Sequence, residues 1–276
     1  MAMDIGKLRA EPGARFRLAK FAAEDTHGVS KEHAADTHRK HVEWLAALHD
    51  LLYGEHKRSL LIILQGMDAS GKDGTIKHVM SGVNPQGCTV TSFKQPSATE
   101  LDHDFLWRVH AAVPPKGSIG IFNRSHYEDV LVTRVHDLVP VAVWKKRYRQ
   151  VNEFERMLAE NNVHILKFFL HMSKREQGKR FDERLRDPDK NWKSSPADFR
   201  EREYWDQYHS AYEDAIERCG TKEAPWYVIP SDHKWFRNFA VAEIVVRTME
   251  SFRMKYPKRT EEAAGVGHGG TSAARK

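Results

Sequence analysis

The chain has 276 residues with 40% hydrophobic content, enough for one substantial core, and no apolar run approaching the ~18 residues of a membrane span. Its formal charge is +6, from 44 lysines and arginines against 38 acidic residues, a moderate bias toward anionic partners that does not say which. There is no secretory apolar stretch at the N-terminus. The two cysteines, Cys88 and Cys219, stand far apart without a CxxC pair, which argues against a disulfide framework or structural zinc and for a reducing, cytoplasmic setting.

Residues 1–30 read as an irregular N-terminal extension whose Phe16, Leu18 and Phe21 can dock on the body. Residues 31–54 carry Val42, Leu45, Leu48 and Leu52 at helical spacing. The apolar run 59–65 predicts a buried strand, followed by a helix over 74–82, a turn at Asn84-Pro85-Gln86-Gly87 and a second strand over 88–93. Thr99 can cap a helix from 100 to about 113, stopped by Pro114-Pro115. A third strand is expected over 118–123, and a helix begins at Ser125. Pro140 opens a long helix to about 160. A fourth strand over 163–170, a fifth over 226–229 and a closing helix over 234–255 complete the pattern. Short apolar strands alternating with helices predict an α/β domain with a parallel sheet covered on both faces, spanning 31–257. Residues 258–276 read as a flexible tail. Residues 173–205 are dense in charge and poor in aliphatics, the composition of a helix pair projecting as a lid.

The strongest motif is Gly66-Met67-Asp68-Ala69-Ser70-Gly71-Lys72-Asp73-Gly74, a GxxxxGK phosphate loop between a predicted strand and a predicted helix. Gly66, Ala69, Ser70, Gly71 and Gly74 supply the backbone that wraps a phosphate, and the helix N-terminus adds positive potential. Lys72 brings a mobile cation to the transferred phosphoryl group. Asp73 stands where Ser or Thr normally reaches Mg²⁺, and Asp68 puts a second carboxylate inside the loop. A carboxylate beside a polyanion makes sense with Mg²⁺ between them, or if it orients the attacking group, so Asp68 and Asp73 are the candidate metal ligands; Asp73 can also simply cap the helix.

A second polar cluster, Asn123-Arg124-Ser125-His126-Tyr127-Glu128, lies at the carboxyl end of the third predicted strand, where ligands sit in open α/β sheets. Arg124 can clamp a phosphate, Asn123 can accept from a metal-bound water, and Ser125-x-x-Glu128 reads as a capping box. His126-x-Glu128 lacks the further ligands of a zinc site.

These two segments, with Gly82-Val83-Asn84-Pro85 and Asp189-Lys190-Asn191-Trp192-Lys193, resemble the polyphosphate kinase 2 family from about Phe16 to Tyr256. The resemblance implies a three-layer α/β/α P-loop kinase fold with a central parallel sheet and a helical lid. It implies Mg²⁺-dependent phosphoryl transfer from inorganic polyphosphate to nucleotides. Asp68, Lys72 and Asp73 match the family's Walker A residues, Asn123 and Arg124 its Walker B pair, and Arg184 a phosphate-binding lid arginine. Asn123 and Glu128, where most other classes have Asp and Asn, place the chain nearest class III, whose acceptors are AMP and ADP. Arg180 and Lys193 join Arg184 as basic lid residues for the polyanion, although a solvated helix with i,i+4 ion pairs accounts for part of that charge. The basic run 145–149 reads as a solvated face. The expected partners are polyphosphate and adenine nucleotides, with guanine nucleotides as an option, in a homo-oligomer, with no membrane and no nucleic acid. The rivals are an ATP-dependent nucleoside monophosphate kinase and a non-catalytic polyphosphate- or nucleic-acid-binding protein.

Overall fold

The computed structural model describes residues 3–189, 191–193 and 196–257, so the expected tail 258–276 and Lys190 lie outside the described residues. Helices and strands follow in the order α1 (Lys31–Glu55), β1 (Ser59–Gln65), α2 (Lys72–Val79), β2 (Cys88–Ser92), α3 (Ala98–Leu101), α4 (Trp107–Ala111), β3 (Ile119–Asn123), α5 (Glu128–Val135), α6 (Val141–Glu160), β4 (Val163–His171), α7 (Lys174–Arg186), α8 (Pro196–Glu201), α9 (Trp205–Cys219), β5 (Trp226–Pro230) and α10 (Lys234–Ser251). The five strands form one parallel sheet in the order β2-β3-β1-β4-β5.

All seven residues of β1 are buried, as expected of a central parallel strand covered on both faces. Alternate residues feed two separate cores. Leu61, Ile63, Phe122, Ile165 and Phe169 meet the apolar faces of α5, α6 and α9. Leu60, Ile62, Ile121, Leu166 and Phe168 meet α1, α2 and α10. The result is the expected three-layer α/β/α sandwich, and no helix among the described residues is long and apolar enough to cross a membrane. The N-terminal segment packs on this body. Ala10 N–H donates to Trp226 O (2.9 Å), Phe16 and Leu18 are buried, and Leu18 N–H is held by Glu213 on α9 (2.7 Å).

Two expectations change. The single helix over 100–113 is two short ones, because the Asp104 carboxylate accepts the Leu106 N–H (2.9 Å) and closes a local turn that interrupts the helical ladder. The basic run 145–149 is not uniformly solvated: Arg147 pairs with Asp129 (3.1 Å) and lies over the Phe105 ring. Behind the end of β3 sits a fully buried polar group. Lys167 on β4 donates to Glu155, Tyr127 Oη (2.8 Å) and Cys219 O (2.6 Å), and Glu155 also holds His126 (3.2 Å). A buried ammonium and carboxylate are tolerable only with their hydrogen bonds filled in this way. The network fixes the backbone on which Arg124 and Glu128 stand.

Candidate active site

β1 lies between β3 and β4, so the chain leaves the sheet in opposite directions on its two sides and opens a crevice at the carboxyl ends of the strands. The loop 66–71 fills that crevice and passes directly into α2. Register pairs Leu64 with Asn123, and Arg124 N–H donates to Leu64 O (3.1 Å), bringing the end of β3 against the loop. Gly66 (φ 152°) and Gly71 (φ 100°) occupy backbone regions that favour glycine. Ala69 (φ 63°) and Arg124 (φ 62°) are left-handed without being glycine, the kind of local strain that surrounding contacts must hold in place.

Those contacts are specific. Arg124 Nη2 donates to Asp68 Oδ1 (2.8 Å), and Asn123 Nδ2 donates to Asp73 Oδ1 (2.7 Å). The second bond links the unusual Asp73 to the amide at position 123. With a carboxylate at the start of α2, a second one at position 123 would be repelled at that distance, whereas an amide bonds to it. Lys72 is buried and folds back on the loop, donating to Gly66 O (2.7 Å). Burial pushes its ammonium below the ordinary lysine value, opposed by Asp68. Arg124 is held above its ordinary value because Glu128 and Asp68 outweigh its burial.

The expected capping box does not form. Ser125 Oγ accepts from Gln65 Nε2 (3.0 Å) and Tyr127 N–H (3.2 Å), while Glu128 turns toward Arg124 and Lys72 and bonds to Gln65. The pull of those two cations outweighs a surface cap. Burial nevertheless raises the Glu128 carboxyl above the usual range. A raised acid favours the folded state when protonated, so that contribution is present at low pH and is lost as pH rises through the folded-state value. Glu128→Gln is therefore expected to raise the melting temperature of the free protein at neutral pH. The gain should shrink to nothing in acid, where the wild-type carboxyl is protonated; a constant gain across pH would show that charge is not its cause.

The other expected site residues fall in different places. Arg184 lines the cleft, with Nη1 3.6 Å from Asp198 and its guanidinium over the Phe181 ring. Arg180 does not offer a phosphate contact: it is buried, and its five N–H groups go to Glu176, Ala69 O, Ser70 O, Ser231 O and Asp232 O. It braces the loop from behind. Gly74 lies on the first turn of α2 and lines the cleft, while the side chain of Lys193 lies outside the described residues. Sequence reasoning missed Gln65, a lone amide ending an aliphatic strand and visible there as an anomaly, and Arg237, a buried arginine among the cations of α10 that nothing in the sequence singles out. Among the described residues, seven lysines and arginines against five carboxylates line the cleft, which suits an anion larger than a single phosphate.

No cluster of three His, Cys, Asp or Glu side chains able to hold a metal occurs among the described residues. Mg²⁺ does not require one, since it keeps several waters and binds through one or two carboxylates plus substrate phosphates. Asp68 and Asp73 at the loop mouth fit that donor set.

The model of the family described as polyphosphate kinase 2 matches residues 28–257. An AMP/ADP-polyphosphate phosphotransferase of Meiothermus ruber is 51% identical over 254 residues, covering 91% of this chain and 95% of that protein. An ADP-polyphosphate phosphotransferase of Rhodopseudomonas palustris is 46% identical, covering 94% of each chain. The crystal structure of polyphosphate kinase 2 from Arthrobacter aurescens superposes with a TM-score of 0.91 at 39% identity, covering 96% of this chain and 97% of that one. With the family model matching most of the chain, and these relatives and that structure similar over nearly its whole length, the chain belongs to the polyphosphate kinase 2 family of phosphotransferases.

Proposed function

We propose that the chain transfers phosphoryl groups from inorganic polyphosphate to AMP and ADP, giving ADP and ATP. The observation that carries this is a phosphate loop with a carboxylate inside it and another at the start of α2, opening into a cleft lined by more cations than carboxylates. The names of the two relatives above support the donor and the acceptors.

The end of the polyphosphate seats against the loop N–H groups, and Lys72 exchanges its bond to Gly66 O for a phosphate oxygen. Arg124 is oriented by Asp68 to face the same phosphate. A nucleotide phosphate oxygen attacks the terminal phosphorus in line. The new P–O bond forms as the bond to the bridging oxygen breaks, and the chain leaves one phosphate shorter. Lys72, Arg124 and Arg184 neutralise charge as it shifts to the leaving oxygen. Asp68 and Asp73 would hold Mg²⁺, which would supply neutralisation of phosphate charge at the loop. The reading includes a homo-oligomer in the cytoplasm, where the free thiols of Cys88 and Cys219 are at home.

Exchanging the donor tests it: AMP should be consumed with polyphosphate and Mg²⁺ in the absence of ATP. Consumption only with ATP would make the chain a nucleoside monophosphate kinase. Glu128 is assigned to the acceptor, directly or through Mg²⁺ or water, because it stands beside Arg124. Glu128→Asn should impair AMP phosphorylation more than ADP phosphorylation. Equal losses for the two acceptors would remove that assignment.

A further inference from the structure

The phosphate loop is aimed from behind. Asp68 O accepts from Gln177 Nε2 (3.0 Å), Ala69 O from Arg180 Nη1 (3.0 Å), and Ser70 O from both Arg180 Nη1 (3.2 Å) and Arg237 Nη1 (3.0 Å). In a trans peptide the carbonyl oxygen and the next N–H point in opposite directions, and the described residues contain no cis bond. Tying these carbonyls toward α7 and α10 therefore turns the N–H groups of Ala69 and Gly71 the other way. Neither N–H finds an acceptor among the described residues. An N–H whose peptide carbonyl already accepts from a cation is also the stronger donor.

Arg237 differs from Arg180 in one respect. Arg180 has the Glu176 carboxylate at 2.8 Å, whereas Arg237 has no carboxylate at ion-pair distance among the described residues. Its other hydrogen bonds go to the neutral Asn238 Oδ1 (3.2 and 3.0 Å), and it is 3% exposed. The position is built for it: a Cβ at Gly71 would stand 1.9 Å from Nη1, so only glycine admits the guanidinium there. Burial and the neighbouring Arg180 pull Arg237 down to about 9, which leaves it a cation at neutral pH. An isolated buried charge is costly, and an anion seated in the adjoining loop offsets that cost.

We propose that Arg237 is a positioning residue for the phosphoryl donor, fixing the Ser70–Gly71 peptide with its N–H toward the phosphate and holding behind it a positive charge that a bound polyanion compensates. This rests on the loop being the polyphosphate site. The test compares wild type, Arg237→Met and Arg237→Lys in titration calorimetry with tripolyphosphate, alongside melting curves with and without it and the KM for AMP. Methionine keeps the length of the side chain without its charge; lysine keeps the charge. The expected result is at least about tenfold weaker tripolyphosphate binding and a smaller ligand-induced melting shift for the methionine variant, with AMP KM little changed. The lysine variant should recover most of the affinity. Methionine binding equal to wild type, or lysine binding as poor as methionine, would overturn the proposal. So would a fall in melting temperature of the free protein with tripolyphosphate affinity retained, which marks a purely structural residue. The functional reading is judged separately, by whether the wild type uses polyphosphate at all.

Discussion

Lys72→Ala is expected to lower turnover by at least about a hundredfold while leaving the protein folded. The ammonium is buried at the mouth of the loop with its charge disfavoured by burial, so it gains most from a phosphate whose charge grows in the transition state. A hundredfold corresponds to about 2.7 kcal/mol, in the range for removing one preorganised charge from a transition state. Asp68→Ala should cost a similar factor by another route, since it removes a candidate Mg²⁺ ligand and frees Arg124, whose left-handed backbone that carboxylate helps to hold. Circular dichroism and melting temperature should stay near wild type, because the loop contributes little to either core. A folded variant with near-wild-type turnover would show that the loop is not the reacting site.

Arg184→Ala should weaken use of polyphosphate by about 2–5 kcal/mol if its charge is desolvated against phosphate, the range for truncating one partner of a buried hydrogen-bonded charge pair. Arg184 lies on α7, four residues beyond Arg180, and that spacing puts both on one side of the helix. The base of the helix is pinned. Ser173 N–H and Oγ both donate to Asp232 (2.8 and 2.7 Å), and Gln177 and Arg180 are tied to the loop. Arg184 stands one turn further out, in the cleft. Lys179, 66% exposed and near Glu176 and Glu183, makes the control: Lys179→Ala should change little because water and salt screen it. KM for polyphosphate measured for both variants separates the cases. Equal effects would reduce Arg184 to general surface charge.

The sheet was legible because its strands are continuous apolar runs. The run 59–65 reads as a strand from its sequence and is β1 residue for residue, and the others differ by one residue at an end. The phosphate loop was legible because glycine spacing and a following lysine have few other uses in a strand-to-helix turn. What the sequence did not reveal depends on partners distant along the chain. Helix α9 went unread because its buried face is mostly aromatic and small, Trp205, Tyr208, Ala211, Tyr212, Ala215 and Cys219, with Ile216 the one large aliphatic side chain on it. Ser125-x-x-Glu128 looks like a cap until β1 brings Gln65 beside it, and Arg180 looks like a phosphate ligand until Glu176, the phosphate loop and the segment after β5 claim its donors. Hydrophobic periodicity locates elements; it does not say which polar side chain spends its hydrogen bonds inside the protein.

Phosphorus NMR of the wild-type chain with polyphosphate, Mg²⁺ and AMP, and no other phosphoryl donor, tests the central claim most directly. The β-phosphorus signal of ADP should appear first and the γ-phosphorus signal of ATP after it, as the polyphosphate shortens by the same number of phosphates. Orthophosphate accumulating while AMP stays unchanged, or no change in either compound, would contradict the account.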